Sequence, residues 1–434
     1  MRTLLLSLIA ASALHGQIAD TTTLDAVLRA GVARTAWRRA ALSQRAGHLD
    51  SAFRDVERAV TAWGVQPAYT EGFVRLAAHR DDAGAVRAGL RALGRLGSGS
   101  GVLTDSALTR VAHANTGIAD AIAMLRATLD SGNLGTDRTV LADSLAFPEG
   151  IDIDAKSGTT YITSLRHRNV LVVPSAGAPR WLWDLADARR PAAVFGVVVD
   201  AARDRLWVTT ARSPFADAAV ARDSLPSELI RVRRRDGAIE ARWTLGDGHG
   251  TPGEATLAPD GAVLVTDAVT GAVYRLARNA RALETIRHPL LRSPQGIVAD
   301  ADGRFVWIAD WSHGLIRWEP ATGAFVRVTE ADGGTLLGID GLRAFGSALI
   351  GVQNGITPQR VVRIELDRAA AMATRIATID RPHAAPGELT VGAVEGSRFR
   401  YVQSSQWPLW DEKGARIGAA PLPRIVLREV GLSP

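Results

Sequence analysis

Alternating apolar and polar positions fill the chain beyond residue 138, and they return as one phrase. In SPQGIVADADGRFVWIADWSHGLIRW (293–318) it reads Pro, a variable residue, Gly and an aliphatic pair. An Asp at a Gly turn follows, then an aromatic-aliphatic run that ends in Asp. Related phrases begin at Phe147, Val194, Thr251, Ile339 and Ala385. Period-two runs bounded by Gly-bearing turns predict strands. Each unit holds about four of them, as a propeller blade does, and six units fill 138–434 at roughly 40–50 residues each. The last run, RIVLREV (424–430), is expected to close the ring by pairing with the last or first blade, which hides the sheet edges.

The period changes towards the N-terminus. GVARTAWRRAALSQRA (31–46) and LDSAFRDVERAVTAW (49–63) carry apolar residues at helical spacing. Two further pairs follow, at 68–80 with 83–97 and at 106–114 with 118–130. Ala52, Ala85 and Ala121 hold one place in each second helix. The interval resembles the roughly 34 residues of a tetratricopeptide repeat. That resemblance implies a short α-solenoid of three helix pairs offering a concave face to a protein partner; the alternative is a helical cap packed on the next domain. The polar segment SGNLGTD ends the helical pattern. The expected organisation is helical at 20–131, linker at 132–137 and a six-bladed β-propeller at 138–434, so the fold class is mainly β with an α-helical N-terminal domain.

Composition narrows the chemistry. The 434 residues carry a formal charge of +6, but Lys occurs only at Lys156 and Lys413 and the Arg residues are dispersed. This reads as a general Arg bias, so no nucleic-acid partner is expected. The dense run Arg231, Arg233, Arg234 and Arg235 fits a solvated strand edge. With no Cys in the chain, disulfides, thiolate nucleophiles and sulfur-bound zinc are excluded. The start, Arg2 and then an apolar run from Leu4 to Ala13, reads as a signal peptide over 1–16 cut near Ala13 or Gly16, which predicts a secreted or periplasmic protein. That run is short of the about 20 residues of a membrane span, and no later segment is long and apolar enough.

The Pro-x-Gly start of each unit opens its innermost strand, so six positions meet at one mouth of the central channel. They hold Glu149, Phe195, Gly253, Gln295, Asp340 and Gly387, with Glu254 and Glu388 next to two of the glycines. Carboxylates crowded into a channel repel and desolvate poorly. A hard cation, bound protons or Arg partners must relieve them.

These motifs resemble those of the gluconolactonase/regucalcin family of six-bladed propellers. FPEGIDID resembles the first-blade motif whose Glu binds metal, which implies Glu149. LGIDGLRA resembles the fifth-blade motif whose Asp binds metal and assists as base, which implies Asp340. SPQGIVADADG resembles the fourth-blade Asn-Gly motif with Gln295 in place of Asn. TPGEATLAPDG resembles the third-blade Asn-Asp motif with Gly253 at the Asn and Glu254 at the Asp. The resemblance implies a divalent cation, Ca²⁺ first with Mn²⁺ or Zn²⁺ as alternatives, held by Glu149, Gln295 and Asp340. It further implies hydrolysis of a lactone or ester, with Asp340 or Glu254 as base. Glu254, Trp311 and His313 are the expected substrate-binding residues.

Blander readings stand beside these. Glu149 and Asp340 serve equally well as turn caps, and Glu388 reads as solvent-facing. Asp267 and Asp310 read as turn-fixing, and Trp407 and Trp410 as core packing. The histidines lack zinc spacing, no Ser sits in a nucleophile elbow, and no phosphate-binding glycine loop occurs. The rival to a hydrolase is a non-catalytic scaffold that binds a protein or carbohydrate.

Overall fold

The computed structural model describes residues 21–64, 66–141, 146–187, 190–217, 225–331, 333–367, 369–383, 387–419 and 421–432. The expected signal peptide lies outside them.

Six helices come first: α1 (Thr21–Arg45), α2 (Leu49–Trp63), α3 (Pro67–His79), α4 (Ala83–Leu96), α5 (Ser106–Ala114) and α6 (Thr116–Asp130). Local chemistry sets their ends. Asp82 Oδ1 accepts from Ala85 N at 2.9 Å and Asp105 Oδ1 from Ala107 N at 2.9 Å, which caps α4 and α5. Pro67 occupies the first turn of α3, where no N–H is needed. The first helix begins ten residues before the periodic segment 31–46, because TTTLDAVLRA continues it without a breaker. Small residues let the helices approach. Ala33, Ala36, Ala40, Ala52 and Ala59 are all buried, and a Cβ on Gly72 would lie 2.6 Å from the Trp37 ring.

Six sheets follow. The inner strands are Pro148–Asp154, Ala193–Asp200, Pro252–Leu257, Pro294–Ala299, Ile339–Phe345 and Gly392–Glu395. Four of the blades take four consecutive strands, and the fifth gains Thr329–Glu330 at its edge. In the sixth blade Ile425–Gly431 is the third strand, and Thr136–Leu141, from the start of the propeller, pairs with it as the fourth. The ring therefore closes through both ends of the repeat region. Apolar clusters such as Tyr161, Val170, Val197 and Val208 fill the wedges between neighbouring sheets.

The repeated glycine has a steric cause. In five inner strands the register shifts just after the first paired residues, which marks an extra residue. There each blade's backbone meets the next one. A Cβ on Gly296 would lie 2.5 Å from Asp340 O, and one on Gly341 would lie 2.7 Å from Val391 Cα. In the third blade Gly253 makes the approach, and a Cβ there would lie 2.8 Å from Gln295 O.

One arginine joins the two layers. Arg381, buried after the outer strand of the fifth blade, donates to Thr128 O (2.7 Å) and Leu129 O (3.0 Å) at the end of α6, and to Gly97 O (3.2 Å) after α4. Gly99 N donates to Thr357 O at 2.7 Å. The helices thus sit over the fourth and fifth blades. No helix among the described residues is long and apolar enough to cross a membrane.

Candidate functional site

A cavity of about 360 Å³ occupies the channel mouth, and Glu149, Phe195, Gly253, Glu254, Gln295 and Asp340 line it. Five of the six predicted positions therefore converge; at the sixth, Glu388 takes the place of Gly387. The register shift at the Pro-x-Gly bulge is what brings these side chains to the axis.

Each carboxylate is held differently. Glu149 Oε2 accepts from Trp407 Nε1 at 2.8 Å and from Ser405 Oγ at 3.2 Å. Phe147 and Phe215 pack edge-on against the Trp407 ring at 5.2 and 5.1 Å and fix that donor. Asn354 Nδ2 donates to Asp340 Oδ2 at 2.8 Å, to Glu388 Oε1 at 3.0 Å and to Leu389 O at 2.7 Å. Asn354 Oδ1 is buried with no partner among the described residues.

Glu254 is in another state. Its Oε1 accepts from Arg343 Nη1 at 2.6 Å and its Oε2 from Leu342 N at 3.0 Å, both on the inner strand of the fifth blade. Arg343 also reaches Ile151 O at 3.4 Å and lies near Asp152. This buried, charge-assisted pair crosses the channel and commits the Glu254 carboxylate. Glu254, expected as a base or substrate ligand, lines the cavity with its two oxygens bonded to Arg343 and Leu342 N.

Burial and mutual repulsion raise the remaining acids. Burial pushes Asp340 up to about 7, helped by the Glu254 and Glu388 charges and opposed by the Asn354 hydrogen bond. Burial pushes Glu388 up to about 7. Glu149 is held well above the carboxylate range by burial and the Asp340 charge, against its bonds from Trp407 and Ser405. None of these three makes an ion pair among the described residues. Glu388, read as solvent-facing from sequence, belongs to the cavity.

Other residues divide. Gln295 lines the cavity, with Nε2 only 3.5 Å from Ser293 Oγ, and Trp311 forms part of the wall at 38% exposure. His313 does not reach the cavity. Expected as a substrate-binding residue, it is buried under the helices with Nδ1 2.8 Å from Leu290 O and its ring 6.0 Å from Trp63 of α2. Asp267 and Asp310 do fix turns: Asp310 accepts from the amides of Arg292, Ser293, Ser312 and His313. Sequence reasoning passed over Asn354, Arg343 and Ser405. An Arg three residues after Asp340 on an innermost strand was the one available signal.

The donor set can be tested against a cation. Among the described residues no group of three or more His, Asp or Glu side chains is placed as a metal cluster. The predicted trio has two carboxylates and the Gln295 amide. All are hard oxygens, which suits Ca²⁺, and neither acid makes an ion pair among the described residues. The unpartnered Asn354 oxygen adds a further possible donor. The donor chemistry fits a hard cation.

No protein-family model matches the chain, and no curated protein does. Among solved structures, regucalcin, a calcium-binding protein from Agrobacterium tumefaciens, is 16% identical over 68% of this chain and 96% of its own, with a TM-score of 0.47. A gluconolactonase from Xanthomonas campestris is 16% identical over 69% of this chain and 96% of its own, with a TM-score of 0.46. The PQQ-bound aldose sugar dehydrogenase of Streptomyces coelicolor is 15% identical over 68% and 98%, also at 0.46. Likeness at this level carries no argument about chemistry.

Proposed function

We propose that the channel mouth is a hydrolytic site for a small lactone or ester, with Glu149, Asp340 and Gln295 as ligands of a divalent cation. One observation carries this reading: Glu149, Asp340 and Glu388 share a cavity, close enough for their charges to interact, and none makes an ion pair among the described residues. A bound cation would supply polarisation of the substrate carbonyl.

The chain's own residues supply the rest. Asp340 faces the cavity and makes no ion pair among the described residues, so its carboxylate is the base. The Asn354 amide aims Asp340 Oδ2 and Glu388 Oε1 together, and Trp407 and Ser405 fix Glu149. Water attacks the carbonyl carbon while its proton passes to Asp340. The ring or ester C–O bond then breaks, and that proton goes to the departing oxygen, leaving an acid and an alcohol. Phe195, Trp311 and Trp407 wall the cavity and exclude bulk water.

The test is turnover of a panel of lactones and aryl esters, with chelator or with Ca²⁺, Mn²⁺ or Zn²⁺. Metal-stimulated turnover that falls at least about a hundredfold in Asp340→Asn supports the reading. No turnover with any metal, or full activity in the variant, overturns it in favour of a binding scaffold.

A further inference from the structure

A second cavity of about 140 Å³ lies between the helices and the fourth and fifth blades. Arg34 of α1, Trp63 at the end of α2 and Tyr69 of α3 form one side, and Trp311 and Gly355 form the other. Trp311 lines this cavity and the channel mouth alike, so the two spaces share a wall. Its ring rests where only glycine fits: a Cβ on Gly355 would lie 2.8 Å from Trp311 Cζ2 and 2.9 Å from Cη2. The helical layer thus contributes residues to a space that adjoins the proposed reaction site.

The charges of the two cavities are opposite. The channel mouth is acidic, whereas Arg34 has Arg38 and Arg292 as neighbours and Arg327 lies over the Trp63 ring at 5.0 Å. The carboxylate near Arg34, that of Asp310, is already occupied by backbone amides at 2.7–2.9 Å. Arg34 is half-buried, and among the described residues it has no hydrogen bond or ion pair. A guanidinium left without an acceptor amid aromatic rings suits a planar apolar group that ends in a carboxylate.

We propose that this cavity is a second subsite, contributed by the helical layer, for an aromatic carboxylate carried by the substrate. It deepens the hydrolase reading and rests on it for the reacting bond only. The acidic channel would hold the uncharged ester or lactone carbonyl, and Arg34 would hold the anionic tail past Trp311. Trp63 and Trp311 would flank the ring.

Two non-hydrolysable probes test it on the full chain: 3-phenylpropanoate and its uncharged isostere 3-phenylpropanamide, titrated calorimetrically. The carboxylate should bind at least about tenfold more tightly than the amide, as a charge-assisted bond to Arg34 requires. Arg34→Gln should remove that preference and leave amide binding unchanged. Glu149→Gln should bind the carboxylate at least as tightly as wild type, since it removes only negative charge nearby. Equal binding of the two probes, no binding of the carboxylate below about 10 mM, or an unchanged preference in a folded Arg34→Gln would overturn the proposal. The probe comparison on the native protein needs no variant, so a folding defect cannot shelter it. Carboxylate preference without esterase turnover would sink the hydrolase reading and keep the subsite. Turnover without that preference would do the reverse.

Discussion

Replacing Asp340 by Asn should make the metal-free protein more stable at alkaline pH. The folded protein keeps a proton on Asp340 until about pH 7, whereas the unfolded chain loses it near 3.8. Between those values the folded state binds more protons, so this group's stabilisation is complete below about pH 4 and falls as pH rises to about 7. The gap between 3.8 and about 7, at about 1.4 kcal/mol per tenfold change in proton affinity, sets a ceiling near 4 kcal/mol. Burial supplies most of this, the Glu254 and Glu388 charges share the rest and the Asn354 bond offsets part of it, so about 2 kcal/mol is the expected cost. An Asn side chain removes the charge and keeps an oxygen for Asn354 Nδ2. Urea unfolding in chelator should place the variant about 2 kcal/mol above wild type at pH 8, less than about 1 kcal/mol above it at pH 5 and within about 0.5 kcal/mol at pH 4. A variant equal to or weaker than wild type at pH 8 would refute the electrostatic reasoning.

Three further expectations follow from single contacts. Arg381→Ala strips hydrogen bonds from the carbonyls ending α4 and α6 and should cost about 2–4 kcal/mol; limited proteolysis should then cut first near 97–131, and an unchanged cleavage pattern would deny its role in docking the helices. Trp407→Phe removes a donor from Glu149 and should raise that carboxylate further. The alkaline shift should appear in the pH dependence of proton release when Ca²⁺ binds, and an unmoved profile would mean that the bond does not matter. Gly296→Val forces side-chain atoms against Asp340 O and should lower the unfolding free energy by several kcal/mol or abolish folding; a near-wild-type unfolding free energy would show that the blades can part there.

The sequence carried the fold because the repeat is steric. A small residue is needed where one blade's backbone touches the next, so a glycine recurs at the start of the inner strands, as at Gly150, Gly253, Gly296 and Gly341. The site residues at that phrase, Glu149, Gln295 and Asp340, were readable for the same reason. Partners from distant segments were not. The Glu254–Arg343 pair joins residues 89 apart in sequence across the channel. Asn354 sits just past a strand end, and nothing local announces that it will bridge Asp340 and Glu388. Trp407 looked like core packing because packing and an indole hydrogen bond require the same residue. His313 stands two residues from Trp311, yet the turn sends one side chain to the cavity and the other beneath α2. The helices are placed in part by Arg381 and by the Gly99 amide, whose acceptors are backbone carbonyls that any sequence would supply.

Calcium titration of the chelator-treated protein at pH 7.5, repeated in buffers of different ionisation enthalpy, bears most directly on the cation-binding acids. Acids that hold protons near neutrality must release them when a cation enters. The expected result is one Ca²⁺ per chain with net proton release, lost in both Glu149→Gln and Asp340→Asn. Absence of saturable binding, or binding without proton release that survives both substitutions, would contradict the account.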